Sequence, residues 1–144
     1  MKTVRDVLKQ KGRYVWSIAP DSTVYDALQL MADKNIGALL VVEAGRPVGI
    51  FSERDYARQV ILKGKSSKDT PVRDVMTSKV VFVRPEQSIE ECMALMTDRR
   101  FRHLPVLEEG KLAGLLSIGD VVKAVISEKD FIIEQLANYI SSGG

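Results

Sequence analysis

Two stretches of the chain, "GIFSERD" from Gly49 and "GLLSIGD" from Gly114, share one skeleton: Gly, two apolar residues, Ser, two variable residues and Asp. They stand 65 positions apart, and the same offset aligns residues 20–61 with 85–126 without a gap. Pro20 falls on Pro85, Leu30 and Met31 on Leu95 and Met96, and Asp33 on Asp98. Leu39, Val41, Glu43 and Gly45 fall on Leu104, Val106, Glu108 and Gly110. Upstream, "VRDV" from Val4 recurs from Val72 at an offset of 68, so the first copy carries a three-residue insertion around "KQKGR". A chain that repeats itself this fully folds as two copies of one unit. With 144 residues in all, each copy is very small as a domain. The repeat places the boundary at 70/71, giving residues 1–70 with a linker and 71–144 with a terminal helix.

The same order of elements is legible in both copies. A short β-prone run, "YVWSI" or "KVVFV", ends near a proline. In "STVYDALQLMADK", Val24, Ala27, Leu28 and Met31 recur at helical spacing, and Thr23 with Asp26 has the form of a capping box. Ser88 with Glu91 opens "SIEECMALMTDRR" in the same way. Two strands follow, "ALLVVEAGRPVGIF" and "HLPVLEEGKLAGLL", turning at Gly45 and Gly110, where a positive φ is cheapest. A second helix runs from Ser52 to about Leu62, and from Ser117 to about Ser127. Each copy is therefore a mixed α/β unit of order β-α-β-β-α. "KGKSSKDTP" reads as a polar linker, and "EKDFIIEQLANYI" as one more amphipathic helix.

Two such units, each with "DV(L/M)" ahead of it, a proline before the first helix, an "LxV" strand, a hairpin glycine and a final Ser-x-x-Asp, resemble the tandem CBS domain family, also called the Bateman module. The resemblance spans nearly the whole chain and is fullest in "FRHLPVLEEGKLAGLLSIGDVV". It implies two motifs packed as one pseudo-twofold module, and modules that pair through their helices into a disc-like homodimer. It also implies a regulatory role without catalysis, in which an adenine nucleotide such as AMP, ADP, ATP or NAD, or S-adenosylmethionine, binds in clefts between the motifs. By the same resemblance Asp55 and Asp120 accept hydrogen bonds from ribose hydroxyls, with Ser52 and Ser117 near ribose or phosphate.

The residues themselves leave a second reading open, because Ser-x-x-Asp at the start of a helix is also a capping box that needs no ligand. Gly49 and Gly114 likewise suit either a close approach to a ligand or tight packing of the strand. The copies differ where "RHLP" (Arg102, His103, Leu104, Pro105) in the second replaces "GALL" in the first. The resemblance places a basic pair here against phosphate. Arg102 is the first candidate, since its planar fork matches a phosphate; His103 and Pro105 complete the set. Arg54 and Arg58 add positive charge in copy one, and Lys11, beside Gly12 in the insertion, is placed to reach a cleft.

Other chemistry finds little footing. The 21 basic and 19 acidic residues give a net charge of +2, too mild to mark a nucleic-acid surface. The rival reading is nucleic-acid binding through the basic linker "KGKSSK" and the Arg102/His103 region. His103 is the single histidine, which argues against a zinc site, so no metal is expected. The single cysteine, Cys92, excludes an internal disulfide and keeps step with Ile89, Met93 and Met96, as a buried thiol would. Trp16 lies where the first strand enters the core, and no P-loop or nucleophile and base pair occurs. With no spanning helix and no apolar leader, a cytoplasmic protein without a membrane partner is expected, acting on an effector protein that the sequence does not name.

Overall fold

The computed structural model describes residues 2–12 and 14–141; Arg13, in the insertion, lies outside the described residues. The described chain runs α1 (Val4–Lys11), β1 (Ser17–Ile18), α2 (Val24–Lys34), β2 (Ala38–Glu43), β3 (Arg46–Ser52), α3 (Glu53–Asp55), α4 (Ile89–Arg99), β4 (His103–Glu108), β5 (Lys111–Ser117) and α5 (Ile118–Ser141). A π-helical segment, Tyr56–Ile61, continues α3, and a 3₁₀ turn, Val72–Asp74, precedes the second copy. β1 lies parallel to β2, which pairs with antiparallel β3; β4 and β5 form a second antiparallel pair. No helix among the described residues is long and apolar enough to cross a membrane.

Local chemistry accounts for these elements. Each hairpin turns on two residues with positive φ, Ala44 at 52° with Gly45 at 77°, and Glu109 at 53° with Gly110 at 77°. This is the turn whose twist matches the strands it joins. Each hairpin also slips by one residue after Val41 or Val106, leaving Val48 or Ala113 unpaired as a bulge. Thr23 Oγ1 and Ser88 Oγ accept the amides of Asp26 and Glu91, both at 3.1 Å, and so start α2 and α4.

The chain forms two compact units, and they cut across the repeat. One is Val15–Val80; the other joins the segment before Val15 to everything from Val81 onward. The division at 70/71 read from the repeat is thus not the division in space, because the lead-ins are exchanged. In the first unit Val72 and Arg73 donate their amides to the carbonyls of Ser22 and Pro20, and Val24 donates to Thr70. In the second, Val4 and Arg5 donate to Gln87 and Pro85, and Ile89 donates to Lys2. Every bond in one set has its counterpart in the other, and each set satisfies amides at a helix start that have no partner inside their own helix. The apolar residues follow the same exchange. Val72 and Val75 are buried with Val24, Met31, Leu39 and Phe51, whereas Val4, Val7 and Leu8 are buried with Ile89, Met96, Leu104 and Leu116. Burying a side chain of this size contributes about 1.5–3 kcal/mol.

Three sequence expectations change. The strand expected in "KVVFV" is reduced to one bridge, Val83 with Val106. In the first unit Leu40 donates its amide to Trp16 O at 3.1 Å to begin the β1 ladder; its counterpart is Pro105, which has no N–H to give. The helix expected from Ser52 to Leu62 is α-helical for one turn only, then widens until Leu62 N–H reaches Ala57 O and Lys65 N–H reaches Val60 O. Finally, the second helix of copy two and the terminal amphipathic helix are one element. α5 runs 24 residues without a break, since "SEKD" at 127–130 contains neither Gly nor Pro to stop it.

Candidate functional site

Each Ser-x-x-Asp sits where a hairpin's last strand turns into a helix. At the end of β3, Ser52 N–H donates to Asp55 Oδ2 at 2.9 Å while Asp55 N–H donates to Ser52 Oγ at 3.2 Å. Ser52 Oγ also donates to Asp55 Oδ2 at 3.0 Å. At the end of β5, Ser117 N–H donates to Asp120 Oδ2 at 2.8 Å and Asp120 N–H to Ser117 Oγ at 3.1 Å. Both are reciprocal capping boxes, so this reading of the two serines holds whatever else they do. The box also fixes each carboxylate beside the first turn of a helix, where the backbone dipole favours an anion.

The two carboxylates then diverge. Asp55 Oδ1 accepts from the Thr77 hydroxyl at 2.9 Å. Asp120 Oδ2 accepts from Lys11 Nζ at 2.5 Å, and the same ammonium donates to the Leu115 carbonyl at 2.5 Å. Burial works against the charge on Asp120, but Lys11 and the Ser117 amide outweigh it and hold its pKa below the ordinary 3.8.

Both donors arrive on the exchanged lead-ins, which pack against the signature glycines. A Cβ on Gly49 would meet Met76 Sδ at 2.7 Å and the Thr77 carbonyl at 2.9 Å; one on Gly114 would meet Leu8 Cδ2 at 2.7 Å. Met76 and Leu8 are counterparts at the 68-residue offset. The glycines are therefore needed for packing, the second of the two roles their sequence left open.

Around the second turn the structure assembles Ser117, Asp120, Arg102 and His103. His103 pairs in register with Ser117, and the Arg102 carbonyl accepts the Ile118 amide at 2.9 Å. Arg102 is exposed, His103 is half-buried, and Pro105 is buried in β4, facing Leu115 across the hairpin. In the first unit Arg54 is exposed between Ser52 and Asp55, and Gly37 O accepts the Glu53 amide at 3.0 Å. A cavity of about 360 Å³ opens there, lined by Leu28, Met31, Asn35, Ile36, Gly37 and Glu53. Thr77 was not legible as a site residue, since nothing in "VMTS" separates it from an ordinary loop threonine; only the exchange of lead-ins reveals it. Cys92 is fully buried, and burial, with Glu91 beside it, pushes its thiol up to about 11. Among the described residues no group of three His, Cys, Asp or Glu side chains is placed to hold a metal.

The CBS domain family model matches residues 3–61 and 72–127, and the chain belongs to that family. It is 44% identical over 151 residues to the CBS domain-containing protein CBSX3, mitochondrial, of Arabidopsis thaliana, covering 98% of this chain and 73% of that one. Among solved structures it resembles a protein with CBS domains from Burkholderia ambifaria MC40-6, at 55% identity and a TM-score of 0.83, covering 88% of this chain and 95% of that one. CBSX2, solved in complex with AMP, is 30% identical with a TM-score of 0.70, over 90% of this chain and 99% of that one.

Proposed function

We propose that this chain is a regulatory sensor of adenine nucleotides, with AMP the first ligand to test, and that the two Ser-x-x-Asp turns take the ribose. The observation that carries the reading is the braced carboxylate. Each capping box uses Oδ2 of its aspartate and holds the side chain rigid, and in the first unit Oδ1 already accepts a hydroxyl, that of Thr77. A ribose diol offers the same kind of donor. The AMP complex of CBSX2 supports the choice of ligand; Arg102 and His103 at the second turn, and Arg54 at the first, are the basic groups we assign to phosphate. ATP, ADP and NAD carry the same ribose and enter the test as competitors. The reading assigns the chain no catalytic step.

We propose a homodimer as the first relay of occupancy. Ile126, Ile133 and Ile140 recur every seven residues along α5 and are 54%, 64% and 71% exposed. An apolar stripe of this period suits a second helix.

Calorimetry with AMP on the parent, Asp55→Asn and Asp120→Asn proteins tests the ribose assignment. Each substitution should weaken one site by ten- to a hundredfold, the equivalent of about 1.5–3 kcal/mol for a charged hydrogen bond. Unchanged AMP affinity in both variants, together with lower melting temperatures, would leave the aspartates as helix caps alone.

A further inference from the structure

The repeat makes Asp55 and Asp120 equivalent, yet one is met by a hydroxyl and the other by an ammonium. Lys11 is the last residue of α1, and Gly12 follows with φ of 96°, a conformation that lets the chain leave the helix without strain. The lysine lies beside the three-residue insertion that the first copy carries. Its side chain is 35% exposed and that of Asp120 24%, which shields the pair from solvent more than a surface ion pair.

Resting on the nucleotide reading above, we propose that Lys11 makes the Ser117–Asp120 turn selective for phosphorylated ligands, guarding Asp120 against uncharged diols and passing to the phosphate when a nucleotide binds. At Asp55 an arriving ribose hydroxyl exchanges with another hydroxyl, one neutral donor for another. At Asp120 the ammonium sits 2.5 Å from Oδ2, the oxygen the capping box also uses, so a neutral diol meets a carboxylate whose charge is already compensated, and a displaced ammonium needs a new anion. Adenosine supplies none. AMP supplies a phosphate dianion, and the flexible four-carbon stem of a lysine, a point charge with three rotatable donors, can follow it. The Arg102 backbone borders the same turn through its bond to Ile118.

Calorimetry with AMP and with adenosine on Lys11→Met, in an Asp55→Asn background so that only the second turn reports, separates the possibilities. Methionine keeps the apolar stem and removes the charge; a thermal melt confirms folding, and Lys11→Arg serves as the rescue. AMP should weaken roughly tenfold, adenosine should tighten by about two- to fivefold as the charge that compensates Asp120 is removed, and arginine should restore the preference for AMP. An unchanged ratio of AMP to adenosine affinity in Lys11→Met, or loss of all binding in the Asp55→Asn background alone, overturns the role of Lys11 while leaving the nucleotide reading intact. Failure of the parent protein to bind either ligand overturns the nucleotide reading and the inference with it.

Discussion

A methyl group added at Gly114 would sit 2.7 Å from Leu8 Cδ2 and 3.2 Å from Cδ1, where carbon atoms settle at about 3.5–4.0 Å. Leu8 is 1% exposed and enclosed by the core of its unit, so it cannot swing aside into solvent. Overpacking of this kind costs about 1–3 kcal/mol, and Gly114→Ala should fall in that range. Gly49→Ala should lie at its upper end, because one of its obstacles is the Thr77 carbonyl at 2.9 Å. Met76 can bend away, but Thr77 is tied to Ile50 by two backbone hydrogen bonds, at 2.8 and 2.9 Å. Leu8→Ala alone should cost about 2–5 kcal/mol through the cavity it leaves. Combined with Gly114→Ala, the new methyl enters the space the leucine vacates, and the double variant should be more stable than the sum of the singles by on the order of 1–2 kcal/mol. Urea unfolding followed by circular dichroism measures all four variants, with similar slopes required for comparison. Losses that add to within about 0.5 kcal/mol would mean the two residues do not touch, and would refute the exchange of lead-ins.

Three further outcomes follow from single observations. Because the folded chain holds Asp120 below its ordinary 3.8, the unfolded chain takes up that proton first as pH falls; the stabilisation is complete above about 3.8 and is lost as pH drops through the folded value. Carbon-detected NMR should show the Asp120 titration moving upward in Lys11→Met, and an unmoved titration would show that Lys11 is not its partner in solution. The Cys92 thiol should resist a disulfide reagent in the native protein and react fully in urea; rapid native labelling would contradict its burial. Light scattering should give a mass above the 16.0 kDa of one chain, reduced by Ile133→Asp, whereas a parent protein that is monomeric at micromolar concentration would sink the proposed dimer.

The order of elements was legible because both copies state it, and each hairpin glycine takes the positive φ its position demanded. The reduced strand at Val83 was not legible: the proline that stands where copy one has Leu40 signals it only once Leu40 N–H is known as the donor that begins the ladder. The exchange of lead-ins was not legible. "VRDV" reads identically at both offsets, and nothing in an apolar pair such as Val4 and Val7 says which of two equivalent cores it enters. The site was legible to the level of the Ser-x-x-Asp turns, whereas Thr77 and the bond from Lys11 to Asp120 depend on that exchange. The break expected in α5 is absent because amphipathic spacing continues on either side of "SEKD" and no residue there stops a helix.

Native mass spectrometry with AMP added in steps, which reads chains and ligands together, tests most directly the proposed binding of an adenine nucleotide at the two Ser-x-x-Asp turns. The parent should take up AMP to saturation, Asp55→Asn and Asp120→Asn should each lose one of two binding events per chain, and the double variant should take up none. No saturable uptake by the parent, or equal uptake by the parent and the double variant, would contradict it.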